Sequence, residues 1–184
     1  MSRFEYLSVL VSIVIALGIS EVVSTWGRLL RNRARVRFYG LHAFWTLFVV
    51  VLMVQMWWGF WNFRTVESWT FLALLGVVIE CIVMVLSALV LLPTVEAREP
   101  IDLRQHYFAQ CRLFFLLGCL LVLQLTTLDL FVLGQPLFHV ENAIRLSGAG
   151  VAALAAAFPN PRFHTALAAL ATVLFAGFVA FSFT

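Results

Sequence analysis

The sequence predicts an all-α, polytopic membrane protein, a bundle of about six transmembrane helices joined by short loops. Hydrophobic residues make up 63% of the 184 and charged residues 11%, whereas a soluble domain needs roughly a quarter of its residues charged. The apolar residues also gather into stretches of about 20, the helix length that crosses a bilayer core about 30 Å thick. Because these stretches occupy nearly the whole chain, we expect one transmembrane domain embedded in the lipid bilayer.

Six apolar stretches qualify as helices. They run over residues 4–27, 40–63, 68–92, 106–133, 137–158 and 162–184. Arginines follow the first stretch where a signal peptide would carry a small-residue cleavage site, which favours a retained helix. The segment Asp102-Leu103-Arg104-Gln105 has the form of a capping box and predicts a helix start shortly before residue 106. The connection Pro159-Asn160-Pro161 is so short that the last two helices must be antiparallel neighbours.

The arginines predict the orientation. All twelve basic residues are arginine, and eight of them lie in or directly after the first, third and fifth connections. These eight are Arg28, Arg31, Arg33, Arg35, Arg37, Arg98, Arg104 and Arg162, whereas the opposite side has only Arg3 and Arg64 outside the spans. Cytoplasmic loops carry the excess of basic residues, so we expect both the N-terminus and the C-terminus on the non-cytoplasmic side.

Small side chains predict where the helices pack, because helices in lipid associate where their backbones approach closely. The first helix carries a four-residue repeat of them: Ser8, Ser12, Ala16, Ser20 and Ser24. Similar stripes occur in the fifth helix and the sixth. We expect tight interfaces at these stripes, within one subunit or between subunits. The second, third and fourth helices are bulkier, which favours lipid contact or coarser packing.

Five ionisable side chains well inside the predicted spans are candidates for a functional role, because each costs about 2.5–3.5 kcal/mol on insertion scales. They are Glu21, Glu80, Arg112, Asp129 and Arg145. Glu21 and Arg112 have similar depths near the cytoplasmic side, so one predicted pair joins them. Asp129 and Arg145 lie in the outer half and form a second predicted pair. Such pairs are more often structural clamps than ion ligands.

Glu80 lies near the middle of the third helix, where we expect no arginine at its depth. A lone carboxylate there is expected to hold a proton, because desolvation disfavours its charged form. Two interpretations stay open. Glu80 either donates a hydrogen bond, to Gln55, Gln124 or Thr127, or it serves as a proton or cation site.

Three histidines near the cytoplasmic ends of helices permit one cofactor hypothesis. His42, His106 and His164 lie on the second, fourth and sixth helices, and two of them on facing helices could ligate a haem from both sides. Interfacial histidine is ordinary, so we expect no cofactor. The three cysteines lack metal-ligand spacing, the absence of lysine excludes Schiff-base chemistry, and no nucleic-acid motif occurs. We therefore expect neither an enzyme nor a metal site.

Three segments resemble known sequences. Residues 4–10, 36–39 and 102–108 are similar to uncharacterised polytopic proteins of bacterial inner membranes. The resemblance implies a multi-pass protein of a bacterial inner membrane and implies no mechanism.

Three functions follow from these features. The first is a small non-enzymatic channel, carrier or sensor for an ion or small solute, with Glu80 as its central site. In it Glu21 and Arg112 form a cytoplasmic gate or clamp, and Asp129 with Arg145 forms the outer pair. The second is an accessory subunit of a larger membrane complex, and the third is a haem-binding electron carrier. A bundle of six helices with short loops has little space for a permeation path within a single chain. We therefore expect a homo-oligomer or a complex with other membrane proteins.

Overall fold

The computed structural model describes residues 3–66, 68–95, 100–136 and 140–182. The all-α prediction is confirmed, with 85% of the structure helical. The six α-helices are α1 (Arg3–Arg31), α2 (Gly40–Gly59), α3 (Phe71–Leu91), α4 (Leu103–Phe131), α5 (Val140–Ala157) and α6 (Pro161–Ser182). Short 3₁₀ segments cover Arg33–Arg35 and Phe60–Thr65, and two-residue strands β1 and β2 cover Val36–Arg37 and Ile101–Asp102.

Four helical segments are long and apolar enough to cross a membrane. They are Arg3–Arg31, Gly40–Thr65, Phe71–Leu91 and Leu103–Phe131, and the apolar segment Asn142–Ala157 is shorter. The membrane class of the chain is therefore supported, while six crossings and their orientation stay predictions. Arg98, which contributes to the predicted orientation, lies outside the described residues.

The ends of successive helices meet at two opposite ends of the bundle. At one, which we call the arginine-rich end, His42 near the start of α2 and His106 near the start of α4 both contact Leu91 at the end of α3. At the other, the far end, Arg3 Nη1 donates to the carbonyl of Trp69 at 3.1 Å. Phe4 there stacks on Phe60 with ring centroids 5.2 Å apart. The first four helices therefore alternate in direction.

The centre of the bundle is α3, which packs against α1, α2 and α4. Two glycines allow the close approach. A Cβ at Gly18 on α1 would lie 2.8 Å from Val85 Cγ2, and one at Gly76 on α3 would lie 2.9 Å from Leu128 Cδ2 on α4. Packing is close at these two glycines. Large apolar side chains are nevertheless exposed on the outer faces of the second, third and fourth helices, Leu47, Leu72 and Leu120 among them, in agreement with the expected lipid contact.

The packed face of α1 is not the predicted stripe of small residues. Its buried residues follow one another at intervals of three or four: Leu7, Val11, Ile15, Gly18, Val22, Thr25 and Leu29. Large side chains at this spacing form a continuous seam along one side of a helix. Ser8 and Ser12 are half-buried, whereas Ala16, Ser20 and Ser24 are exposed. Within one chain, the stripe contacts α2 at Ser12, whose hydroxyl accepts from Trp57 Nε1 at 2.9 Å, but the continuous packed face is formed by the larger residues.

At the arginine-rich end, strands β1 and β2 pair with each other in parallel, and Val36 lies opposite Ile101. Asp102 caps α4, since its Oδ1 accepts the backbone N–H groups of Arg104 at 2.9 Å and Gln105 at 3.0 Å. Its Oδ2 lies 3.4 Å from Arg37 Nη1. The capping segment identified in the sequence thus starts α4 at Leu103, three residues earlier than predicted.

Candidate functional site

A buried ion pair joins α4 and α5 toward the far end of the bundle. Arg145 Nη1 donates to Asp129 Oδ2. The Asp129 side chain is 5% exposed and that of Arg145 25%, so the charges are largely out of contact with solvent. The same Arg145 nitrogen lies 3.4 Å from Oδ1 of the buried Asn142, one turn earlier on α5. The structure thus brings together the two residues that the sequence predicted as the outer pair.

Glu80 on α3 lies within electrostatic range of both members of this pair. The contact of Gly76 with Leu128 places Asp129 about one turn closer to the far end than Glu80. Side chains tilt toward the N-terminus of their own helix. Because α3 and α4 run in opposite directions, the Glu80 and Asp129 side chains lean toward each other. The expectation that no arginine lies at the depth of Glu80 was therefore wrong.

Glu80 itself is 7% exposed and makes no hydrogen bond within the part of the chain that the structure describes. Of the three partners proposed from the sequence, Gln55 makes no hydrogen bond with Glu80, and the other two donate to backbone carbonyls. Gln124 Nε2 donates to the carbonyl of Gly76 at 2.8 Å, and the Thr127 hydroxyl donates to the carbonyl of Leu123 at 2.8 Å. Among the described side chains, the cluster therefore contains two carboxyl groups and a single guanidinium group. We call Glu80, Asp129 and Arg145 the carboxylate cluster.

Polar groups continue from the carboxylate cluster to the far end. Asn142 Nδ2 donates to the carbonyl of Pro136 at 3.3 Å. The backbone N–H of Gln135 donates to the carbonyl of Asp129 at 3.0 Å. Gln135 Oε1 is a buried acceptor with no hydrogen-bond partner among the described residues. Sequence reasoning missed Asn142, although its position three residues before Arg145 places both on one helix face.

The path from Glu80 to the arginine-rich end is apolar. Val49 and Met53 on α2 and Cys81, Met84 and Ala88 on α3 are all buried there. Two buried hydroxyls in this region bind carbonyls of their own helices, Ser87 that of Val83 and Thr46 that of His42. The buried Thr25 and Tyr107 hydroxyls bind Glu21 and His164, close to the arginine-rich end itself. Among the described residues, the polar groups that adjoin the carboxylate cluster therefore extend toward the far end.

The predicted pair of Glu21 and Arg112 does not form within the chain. Glu21 Oε1 accepts instead from Arg28 Nη2 at 2.9 Å and from the Thr25 hydroxyl at 3.3 Å, all on α1. Arg112 is exposed on α4 and makes no ion pair with any described residue. The two side chains face away from the core because α3 lies between their helices.

The first two histidines share one acceptor. Nε2 of His42 lies 2.8 Å and Nε2 of His106 lies 3.1 Å from the carbonyl oxygen of Leu91. This oxygen belongs to the last residue of α3, where helix carbonyls lack a partner within the helix. A carbonyl oxygen only accepts, so both Nε2 atoms carry hydrogen and donate. Sequence reasoning missed this role, because a backbone carbonyl leaves no signal in the sequence.

His164 is also fully engaged. Its Nδ1 lies 2.7 Å from the Tyr107 hydroxyl, and its Nε2 lies 3.1 Å from the carbonyl of Ala155. Nε2 therefore donates, and Nδ1 accepts from the tyrosine when the ring is neutral. A haem iron needs an imidazole nitrogen with a free lone pair. Nε2 of all three histidines is spent on carbonyl groups, and Nδ1 of His164 is bound to Tyr107. His164 therefore has no nitrogen available for a haem, whereas Nδ1 of His42 is buried without a hydrogen-bond partner among the described residues, and the haem hypothesis stays a prediction.

Within the described ranges no group of three or more histidine, cysteine, aspartate or glutamate side chains could hold a metal ion. Neither a protein-family model, nor a curated protein, nor a solved structure matches the chain.

Proposed function

We propose that the chain is a small proton carrier in which Glu80 holds the transported proton. The observation that supports this best is the charge balance among the described side chains of the carboxylate cluster, where the guanidinium of Arg145 binds Asp129. Glu80 is left as the second carboxyl group beside a neutralised pair. A proton on Glu80 makes the cluster electrically neutral in a medium where an uncompensated charge is costly.

A proton suits this site better than a metal cation. The guanidinium of Arg145 lies within electrostatic range of Glu80 and repels any second positive charge. A bare metal cation would also need several oxygen ligands, and the side-chain amide of the nearby Gln124 presents an N–H donor to Gly76 instead. A proton forms a covalent O–H bond and needs only the one carboxyl group.

Polar groups extend from Glu80 toward the far end of the bundle, whereas apolar side chains lie on its other side. This arrangement favours a carrier over an open channel. Asn142 and Gln135 extend the polar region toward the far end, whereas Met53 and Met84 are among the apolar side chains between Glu80 and the arginine-rich end. Transport then requires a second arrangement in which Glu80 gives its proton to water at the arginine-rich end. Alternation between two such arrangements is the usual behaviour of a carrier.

Proton uptake into liposomes tests the proposal. The purified protein is reconstituted into vesicles that contain a pH-sensitive dye, and a membrane potential is imposed. We expect the wild-type protein to acidify the lumen and the Glu80→Gln variant to lose at least about tenfold in rate. Glu5→Gln removes an exposed carboxylate in the first turn of α1, and it serves as the matched control with an unchanged rate.

Two results contradict the proposal. One is a wild-type rate no faster than that of empty vesicles. The other is a Glu80→Gln rate equal to the wild-type rate with equal amounts of folded protein. The bacterial inner membrane, which the sequence resemblance implies, is the proposed location of this activity.

A further inference from the structure

We propose that two copies of this chain associate in the membrane through Glu21 on α1 of one copy and Arg112 on α4 of the other. The proposal rests on the surface of the bundle and does not depend on proton transport. The sequence places Glu21 and Arg112 at the same depth, whereas in the structure of one chain they do not pair with each other.

Both groups are available on the surface of a single chain. The Glu21 side chain is 47% exposed, and its hydrogen bonds with Arg28 and Thr25 both use Oε1. Oε2 makes no hydrogen bond with any described residue. A carboxylate accepts at both oxygens and can bind a second guanidinium group there. Arg112 is an exposed guanidinium group of the kind that binds carboxylates in this way.

The two residues have matching depths in the bundle. Gly18 touches Val85, so on the parallel helices α1 and α3 Glu21 is level with Ala88. On α4, which is antiparallel to α3, His106 reaches Leu91, so Arg112 lies within about one helical turn, roughly 5 Å, of the level of Ala88. Copies inserted in the same direction therefore present Glu21 and Arg112 to each other at nearly equal depth.

Small side chains surround Glu21, and large ones surround Arg112. Glu21 lies beside the exposed part of the small-residue stripe, Ala16, Ser20 and Ser24. Leu113 and Leu116 are exposed next to Arg112, on the same face of α4. Small side chains let a neighbouring helix approach closely, so leucines from one copy fit over the stripe of the other.

The identity of the partner follows from the separation of the two patches. Both α1 and α4 flank α3, so Glu21 and Arg112 cannot meet within one chain. Each copy carries an exposed carboxylate, Glu21, whose Oε1 already binds Arg28, and an exposed guanidinium group, Arg112. A second copy supplies the missing charge at the right depth, and the resulting contact pairs two different patches, as in heterologous interfaces.

Co-purification of differently tagged copies from one membrane tests the proposal. We expect wild-type copies to co-purify, and Glu21→Arg or Arg112→Glu alone to reduce the recovered second copy at least about tenfold. The combination of both substitutions in every copy restores opposite charges across the interface, and we expect it to restore recovery. Loss in both single variants with rescue in the double variant is a signature that unfolding does not produce.

A disulfide test covers the case in which a charge variant fails to fold. Copies with Ser20→Cys are mixed with copies with Leu113→Cys in one membrane, and oxidation is expected to link them. In the control, Leu72→Cys replaces Leu113→Cys. Leu72 is exposed at the far end of the bundle, near the start of α3, so this variant should give no link with Ser20→Cys.

Three results would overturn the proposal: wild-type copies that do not co-purify, single charge variants that co-purify as well as wild type, or equal crosslinking in the test and the control. A single copy that carries a phospholipid in native mass spectrometry, lost in Arg112→Gln, would show instead that Arg112 binds a lipid headgroup.

Discussion

The guanidinium group of Arg145 on α5 binds the carboxylate of Asp129 on α4, and this ion pair is the centre of the polar interior. Glu80 approaches it from α3. Three helices therefore contribute to one electrostatic unit, and the protonation state of Glu80 is coupled to the integrity of the pair. A change at either member is expected to alter stability as well as function.

Removal of one partner of the ion pair should destabilise the protein strongly. We expect Arg145→Met to lower the free energy of unfolding by about 3–5 kcal/mol, because Asp129 then stays buried without its partner. The double variant Asp129→Leu with Arg145→Met leaves no charge from this pair and should recover most of that loss. Unfolding in detergent micelles measures both. A double variant less stable than Arg145→Met alone would contradict the clamp.

The close approach of α1 to α3 gives a second prediction. Gly18→Val places a branched side chain where even a Cβ would lie 2.8 Å from Val85 Cγ2, and we expect a loss of about 1–3 kcal/mol in the free energy of unfolding. Gly27→Val is the control on the same helix, since a Cβ there meets nothing within 4 Å. Equal losses in the two variants would show that helix propensity, and not packing, determines the effect.

The cap of α4 should respond to pH. The backbone N–H of Gln105, together with that of Arg104 and the charge of Arg37, holds the pKa of Asp102 below its usual value. The folded protein thus favours the ionised form. The stabilisation is present above the unfolded-state pKa and is lost as the pH falls through the lowered folded-state pKa.

Amide chemical shifts of Arg104 and Gln105, measured by NMR in detergent, follow this titration. They are expected to move only at pH values below the usual pKa of aspartate. Asp102→Asn keeps an oxygen acceptor for the cap and removes the charge, so the shifts of that variant should not titrate. A wild-type midpoint at or above the usual value would contradict the assignment.

Helix capping and the depth of a side chain in the membrane could be predicted from the sequence, because both depend on residue positions along a single helix. The capping segment before α4 follows from Asp102 and its neighbours alone. The pair of Asp129 and Arg145 follows from two opposite charges at the same depth on consecutive helices. Consecutive helices with a short connection are neighbours, so depth was sufficient in this case.

Lateral arrangement could not be predicted in the same way. Glu21 and Arg112 have matching depths, but nothing in either helix indicates that α3 separates them. The stripe beginning at Ser8 was a misleading signal, whereas the three-and-four spacing from Leu7 to Leu29 marked the packed face of α1. The sequence analysis predicted no arginine at the depth of Glu80, because depth was estimated from residue positions along each helix. That estimate ignores the opposite tilts of side chains on antiparallel helices.

Infrared titration of Glu80 in the reconstituted protein tests the central claim most directly, because a protonated carboxyl group has a carbonyl stretch that a carboxylate lacks. The account predicts a band in the wild-type spectrum that is absent from the Glu80→Gln spectrum and disappears as the pH is raised. Identical wild-type and Glu80→Gln spectra at every pH would contradict it, since Glu80 would then never hold a proton. A Glu80 band that persists unchanged at every pH would also contradict it, since the proton would then be a fixed part of the structure.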